Sequence, residues 1–231
     1  LAIDGDTGTL LIGTEDGSVL SRSLFDSSEM PNLREPTGLQ NAGIYSISVD
    51  DYGTVWAAGN CSIHFKPIGE EVWSEYDYCP TINIETPSDM MIIGDSVYLA
   101  TTNAGVHILN YITSSSSGSV SVSVDSQTDW STQNFLSSNQ ITNLEIVGNQ
   151  LLIATADSGI NRRDLTAQSW IATWSTNNWL ASNQIHGLSL TPGWLHILAG
   201  TTVHAYDTNS LIFQSQNQLS QLGLYGNGAM A

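Results

Sequence analysis

Trp130-Ser131-Thr132-Gln133-Asn134-Phe135-Leu136-Ser137-Ser138-Asn139-Gln140-Ile141 returns 44 positions later as Trp174-Ser175-Thr176-Asn177-Asn178-Trp179-Leu180-Ala181-Ser182-Asn183-Gln184-Ile185, with nine of twelve positions identical. Self-similarity at this distance marks a repeat built from short strands. A second element recurs more widely: an apolar run, a turn of small residues, then another apolar residue. Its copies begin at Leu10, Val55, Val97, Leu151 and Leu195, so the intervals are 45, 42, 54 and 44 residues. A period of ~40–50 residues is that of propeller blades.

Each unit reads as four strands. Strand A is short and apolar: Leu1 to Ile3 in the first unit, then Ile44–Val49, Met90–Ile93, Ile141–Val147 and Ile185–Leu190. A turn follows, carrying Asp50-Asp51-Tyr52-Gly53, Gly94-Asp95, Gly148-Asn149 or Pro192-Gly193, residues that tolerate positive φ or bond their own backbone. Strand B is the near-continuous apolar run, as expected of a strand covered on both faces. Strand C follows the small-residue turn, and strand D carries a large residue: Trp73, Trp130, Trp170 or Leu211. No segment holds a helical period. The chain is therefore expected to be an all-β propeller of five four-stranded blades in one domain, at about 1–42, 43–88, 89–138, 139–184 and 185–231. The long interval reflects an insertion, Thr113–Thr128. Its Ser-rich half suggests a mobile loop and its alternating Val half a strand D. Asn217-Gln218-Leu219 resembles the start of another strand A, which suggests that these residues pack elsewhere or that further blades exist.

Composition narrows the function. Apolar residues make up 41% of the chain and charged residues only 12%, with 5 basic against 22 acidic side chains and a net charge of −17. Nucleic acid needs a basic stripe, and an anionic membrane surface needs a basic patch; neither is present. No apolar run approaches the ~18 residues of a membrane-spanning helix. The Lys-poor, acid-rich surface suits an extracellular medium.

The two cysteines add to this. Strands C and D of the second unit meet at Pro67-Ile68-Gly69-Glu70-Glu71, so partners across that hairpin have numbers summing to 138–140. Cys61 and Cys79 sum to 140, which brings them within bridging range. They form either a disulfide, implying an oxidising compartment, or two free buried thiols.

The pattern Leu-x-Ser-Asn-Gln-Ile, a Gly/Asn turn, Leu151-Leu152-Ile153-Ala154-Thr155 and Gly159-Ile160-Asn161-Arg162-Arg163-Asp164 resembles the repeat of two-component-regulator propellers. The likeness is best over 130–207. It departs where the usual strand-B Trp is replaced by Leu11, Tyr98, Leu152 or His196; Trp56 alone keeps it. The resemblance implies a periplasmic or cell-surface propeller that senses or binds a ligand. It implies no catalytic set.

The residues offer several candidate sites. His64, His107 and His204 share one place in strand C, held by Asn161 and Leu20 in the other units. Equivalent places in different blades lie too far apart to share an ion, so these read as packing positions. Asp4-Gly5-Asp6-Thr7-Gly8 with Glu15 matches part of a calcium loop, but the ligand set is incomplete, and no cofactor is expected. No Gly-x-Ser-x-Gly elbow occurs. Glu70-Glu71 and Asp50-Asp51 read as solvated turn residues.

The remaining candidate surface comprises the B–C turns (Glu15, Asp16, Asn60, Asn103, Asp157) and the D–A loops (Asn41, Asn134, Asn139, Asn178, Trp179, Asn183). Propeller geometry would gather both kinds of loop on one face, and amides beside aromatic rings suit a polar small molecule, a carbohydrate or a protein. Asn139 and Asn183 are expected to cap turns instead. Three functions follow: a non-catalytic ligand- or protein-binding module, a hydrolase or lyase with a His/carboxylate cluster in the axial funnel, or a structural and adhesive array.

Overall fold

A computed structural model describes residues 1–4, 8–24, 33–36, 43–79, 85–116, 119–209 and 212–218. The fold is an all-β propeller with five four-stranded antiparallel sheets, each a blade running A-B-C-D from one edge to the other. The first blade holds β1 (Ala2–Asp4), β2 (Thr9–Gly13), β3 (Ser18–Ser23) and β4 (Leu33–Pro36). The second holds β5 (Ser46–Val49), β6 (Val55–Ala58), β7 (Ser62–Lys66) and β8 (Ser74–Asp77). The third holds β9 (Pro87–Ile93), β10 (Ser96–Thr101), β11 (Val106–Ser116) and β12 (Ser119–Trp130). The fourth holds β13 (Ile141–Val147), β14 (Gln150–Thr155), β15 (Ile160–Asp164) and β16 (Ser169–Trp174). The fifth holds β17 (Ile185–Thr191), β18 (Trp194–Ala199), β19 (Thr202–Asp207) and β20 (Ile212–Gln218).

The chain divides into two compact units, Leu1–Leu99 with His107–Asp129, and Ala100–Val106 with Trp130–Ala231. In the first, β1 packs on β5 and β5 on β9; in the second, β13 packs on β17. Within a unit, then, each strand A meets the strand A of the next blade, and the B strands behind them are buried. Val97, Leu99, Leu151, Leu152, Ile153, Leu195 and Ile197 are buried. This is why strand B reads as a continuous apolar run rather than an alternating one. The first unit's main core joins Trp56, Ile63, Phe65, Tyr78, Leu99, Leu109 and Tyr111. The second unit's core joins Leu152, Ile160, Trp174, Leu180, Ile185, Ile197 and Tyr206.

The β7–β8 register pairs Ser62 with Asp77 and Phe65 with Ser74, and Cys61 and Cys79 are disulfide-bonded just beyond its open end. The bridge closes a loop of 18 residues, which in the chain-entropy account stabilises the fold by about 3 kcal/mol.

Three expectations are corrected. The Ser-rich insertion is strand rather than loop: β11 continues to Ser116 and β12 starts at Ser119, so the insertion lengthens the C–D hairpin. Ser114 and Ser121 hydroxyls bond across it at 2.8 Å, and Asn110 donates to Ser126 at 3.0 Å, replacing the solvent contacts a loop would make. Asn217 and Gln218 close β20, a strand D, instead of opening a strand A; Leu211 and residues 219–231 lie outside the described residues. Asp50 is buried, not solvated. Its Oδ1 accepts the Tyr52 and Thr54 amides at 3.0 and 2.8 Å, and its Oδ2 accepts Trp56 Nε1 and the Tyr111 hydroxyl, both at 3.1 Å. Burial, and next the Asp50 charge, push the Tyr111 hydroxyl above its ordinary 10.0, so it stays a donor. Asp51, its neighbour, is exposed as expected.

Candidate functional site

The two D–A loops of the second unit, 131–140 and 175–184, are built alike. Ser131 O accepts the amides of Asn134, Phe135 and Leu136, and Ser175 O accepts those of Asn178, Trp179 and Leu180. Asn134 Oδ1 accepts the Ser131 amide, and Asn178 Oδ1 the Ser175 amide, each at 2.7 Å. Asn139 Oδ1 accepts the Thr132 amide at 2.7 Å, and Asn183 Oδ1 the Thr176 amide at 2.8 Å. Leu136 and Leu180 pin each loop to the core. The repeated Asn residues are therefore loop clamps. Asn178, a candidate ligand contact by sequence, also donates from Nδ2 to Thr173 O at 2.8 Å, so both ends of its amide are engaged internally.

The aromatic side chains of these loops remain open. Phe135 and Trp179 are 52% and 54% exposed. Each lays one face on a strand-D ring of the following blade: Phe135 on Trp170 at 5.7 Å and 19°, Trp179 on Phe213 at 5.6 Å and 20°. Phe213 in turn meets Trp174 and Tyr206 edge-on at 5.2 and 5.0 Å. Trp179 is thus backed by Phe213, which two further rings meet edge-on, and about half of its surface stays exposed.

The B–C turns are also self-bonded. The hydroxyls of Thr101 and Thr155 each donate to the carbonyl four residues on, at 3.0 and 2.8 Å, and Thr14 Oγ1 accepts the Ser18 amide at 3.1 Å. Asp16 Oδ1 accepts from Thr14 Oγ1 at 2.5 Å and from the Ser18 amide at 3.2 Å. Glu15, Asn103 and Asp157 are exposed, whereas Asn60 is half-buried, with a buried side-chain oxygen that has no hydrogen-bond partner. Glu15, Asp16 and Asn60 belong to the first unit; Asn103, Asp157, Asn178 and Trp179 belong to the second. Asn41 lies outside the described residues. Asp4 ends β1 and Glu15 follows β2, so the partial calcium loop is split by a strand of five residues, about 16 Å long. Asp6 lies outside the described residues.

Sequence reasoning treats the strand-C polar position as packing, and His64, His107, His204 and Asn161 are indeed buried. It misses their bonds. Asn161 Oδ1 accepts the Ser137 amide at 3.1 Å, and His204 Nε2 accepts the Ala181 amide at 3.2 Å. In the fourth and fifth blades the buried polar side chain of strand C therefore tethers the loop that enters its own blade. The bond requires a neutral His204 with its proton on Nδ1, and burial lowers this imidazole below its ordinary 6.5. Between 6.5 and the lowered folded value, the unfolded chain holds more protons than the folded one. Stability is therefore full above this window and falls as pH drops through it. His204→Asn, which copies the Asn161 arrangement, should leave stability at pH 7.5 within about 1 kcal/mol. It should also flatten the loss seen on acidification to pH 5; urea melts at the two pH values measure this.

His107 is bonded differently. Its Nδ1 meets Asp129 Oδ1 at 2.6 Å, and its Nε2 meets Glu85 Oε2. Glu85 is buried, while Asp129 is half exposed. Gln127 Nε2 donates to Asp129 Oδ1 at 3.0 Å and to Tyr78 O at 3.1 Å, and the Glu85 amide donates to Cys61 Sγ at 3.3 Å. Both ring nitrogens are engaged by carboxylate oxygens, so the ring is fixed between Glu85 and Asp129. The cluster ties the disulfide, strand D and the entering loop together. It lies on β11, β12 and the loop that enters β9. Among the described residues no group of three His, Cys, Asp or Glu is placed to hold a metal ion. A cleft of about 380 Å³ between Val147, Leu190, Pro192 and Thr208 lies at the A–B-turn end of the second unit, away from Trp179.

No family model matches this chain, and no curated protein matches it. Solved structures do. The WD40 β-propeller domain of Doa1 aligns with a TM-score of 0.63 at 13% identity, covering 94% of this chain and 67% of that one. BamB from Moraxella catarrhalis aligns at 0.55 and 13%, covering 94% and 60%. An extracellular domain assigned to the hybrid two component system BT3049 from B. thetaiotaomicron aligns at 0.59 and 16%, covering 93% of this chain but 29% of that one. At these identities the likeness is one of fold, and the chain spans only a part of each neighbour.

Proposed function

We propose that this chain is a non-catalytic, extracytoplasmic propeller module that binds a neutral polar ligand, best a carbohydrate, at Trp179. The observation that carries this reading is the half-exposed indole, fixed by Phe213 and a self-bonded loop. An open aromatic face held rigid is what a pyranose ring stacks on, because little side-chain entropy is lost when it is covered. The disulfide supports an oxidising location, and one of the aligned structures is an extracellular domain. The net charge of −17 disfavours polyanions.

The test is a tryptophan-fluorescence and calorimetric titration with neutral and acidic oligosaccharides of about four to eight sugars. At least one neutral glycan should bind, acidic ones more weakly, and Trp179→Ala should cost about tenfold or more in affinity, the weight of one aromatic contact. Binding that is unchanged in Trp179→Ala, or absent for every glycan, overturns the assignment.

A further inference from the structure

Strand β12 differs from every other strand D. It has 12 residues, against 4, 4, 6 and 7 in β4, β8, β16 and β20, and it lies at the edge of its sheet with β11 as its only neighbour among the described residues. Native edge strands are blunted by shortness, Lys, Pro or a charge, because bare N–H and C=O groups invite another strand. Residues 112–124 carry no charged side chain, no Lys and no Pro, on a chain whose net charge is −17. Two copies repel each other over most of their surface, and this segment offers the neutral place where they can meet. Its sequence, Ser119-Val120-Ser121-Val122-Ser123-Val124, alternates strictly. Ser121 and Ser123 are exposed, while Val122 and Val124 are half-buried against the first unit's core.

We infer that β12 is a homodimer edge, where two copies of this chain pair antiparallel through Ser119–Val124 and fuse their third blades into one continuous sheet. The partner is a second copy because the segment is complementary to itself. In an antiparallel pair, directly opposed residues lie on the same face. About a two-fold axis through a residue of β12, opposed numbers sum to an even value, so odd-numbered Ser meets Ser and even-numbered Val meets Val. An axis through Val122 places Ser121 opposite Ser123 and Val120 opposite Val124. The valine row then runs across the junction and extends the face on which Val122 and Val124 already reach the core, and the serine row stays wet. Such an isologous contact closes on itself and does not propagate into fibres. The interface is small, so the dimer is weak, with a dissociation constant on the order of 10–100 µM. It strengthens with salt, since screening removes the repulsion between two strongly acidic chains.

Sedimentation velocity on the 231-residue chain tests this. We expect dimer to appear across the micromolar range, and association to tighten roughly tenfold between low and high ionic strength. Ser121→Lys/Ser123→Lys places two cations on the edge and should leave a monomer with an unchanged thermal midpoint. Cys61 and Cys79 are already bridged, so Ser121→Cys and Ser123→Cys each add a single free thiol, and the Val122 axis sets one opposite the other in an equimolar mixture of the two variants. That mixture should form a covalent dimer under mild oxidant much faster than Ser137→Cys on an exposed loop. This third arm decides the matter should the lysine variant unfold. A chain that stays monomeric at 1 mM (a concentration roughly ten times the weak end of the expected range), a lysine variant that dimerises like the parent, or equal cross-linking in the 121/123 mixture and at 137 overturns the inference.

Discussion

Gly159→Ala should destabilise the fold by about 5 kcal/mol, among the largest effects a single methyl group can have. Gly159 sits in the B–C turn of the fourth blade with φ +85, where an L side chain is already strained by about 1–2 kcal/mol. The added Cβ would also lie 2.1 Å from Trp174 O and 3.3 Å from Ser175 Cα, both backbone atoms that cannot swing aside. Relief requires the turn to move, and the turn is held by good bonds. Gly159 N donates to Asn183 O at 2.9 Å, while Gly159 O accepts from the Thr155 amide at 2.9 Å and its hydroxyl at 2.8 Å. Each lost bond costs about 1 kcal/mol. Gly105 repeats this geometry, with Trp130 O at 2.1 Å and φ +96, and should behave alike. Gly148→Ala is the control: φ is +62 but nothing lies within 4 Å, so only the backbone term of about 1 kcal/mol should appear. Urea unfolding of the three variants separates strain from collision, and equal losses at 148 and 159 would sink the collision account.

The same contact shows what could and could not be read from the chain. Strand order, blade number and the Cys61–Cys79 bridge follow from period and register, which are one-dimensional properties. The close approach of Gly159 to Trp174 does not, although both residues belong to the repeat, because it depends on how strand D turns back over the B–C turn. The strand-C tethers are hidden for a related reason. Asn161 and His204 bond amides 24 and 23 residues away, and a backbone amide leaves no mark in composition. The Ser-rich insertion was opaque because serine composition suggests coil, while pairing along β11 makes it strand. The Asn-rich loops look like a binding surface in sequence; in three dimensions the side-chain oxygens of Asn134, Asn139, Asn178 and Asn183 accept amides of their own turns, while Phe135 and Trp179 stay exposed.

Asp50→Ala should cost about 4 kcal/mol, in the range for removing one partner from a buried ionic hydrogen-bond network. The carboxylate takes four donors within 3.1 Å: two amides that close the A–B turn, the Trp56 indole and the Tyr111 hydroxyl. It thereby joins the second blade to the third within the first unit, beneath the Trp56–Tyr111 ring contact at 4.8 Å. Truncation strands these donors away from water, and an unmet buried donor costs about 1–3 kcal/mol. This pairing also accounts for a feature of the repeat. Of the five equivalent strand-B positions only Trp56 carries Trp, and it occurs in the one blade whose A–B turn runs Asp50-Asp51-Tyr52-Gly53; the other positions carry Leu11, Tyr98, Leu152 and His196. The indole N–H needs an acceptor once it is buried, and Asp50 is that acceptor. Asp50→Asn is the sharper variant. It keeps an oxygen for the two turn amides but points an NH2 group at the Trp56 N–H, which can only donate, at a cost of about 2 kcal/mol. Tyr111→Phe removes the hydroxyl that Asp50 holds, so in the Asp50→Ala background it should cost less than in the parent, which a double-mutant cycle reads as a coupling energy of about 1 kcal/mol or more. Asp51→Ala, one residue along and exposed, should stay within about 0.5 kcal/mol of the parent. Additive losses at positions 50 and 111 would mean that the carboxylate serves only its own turn and does not link the two blades.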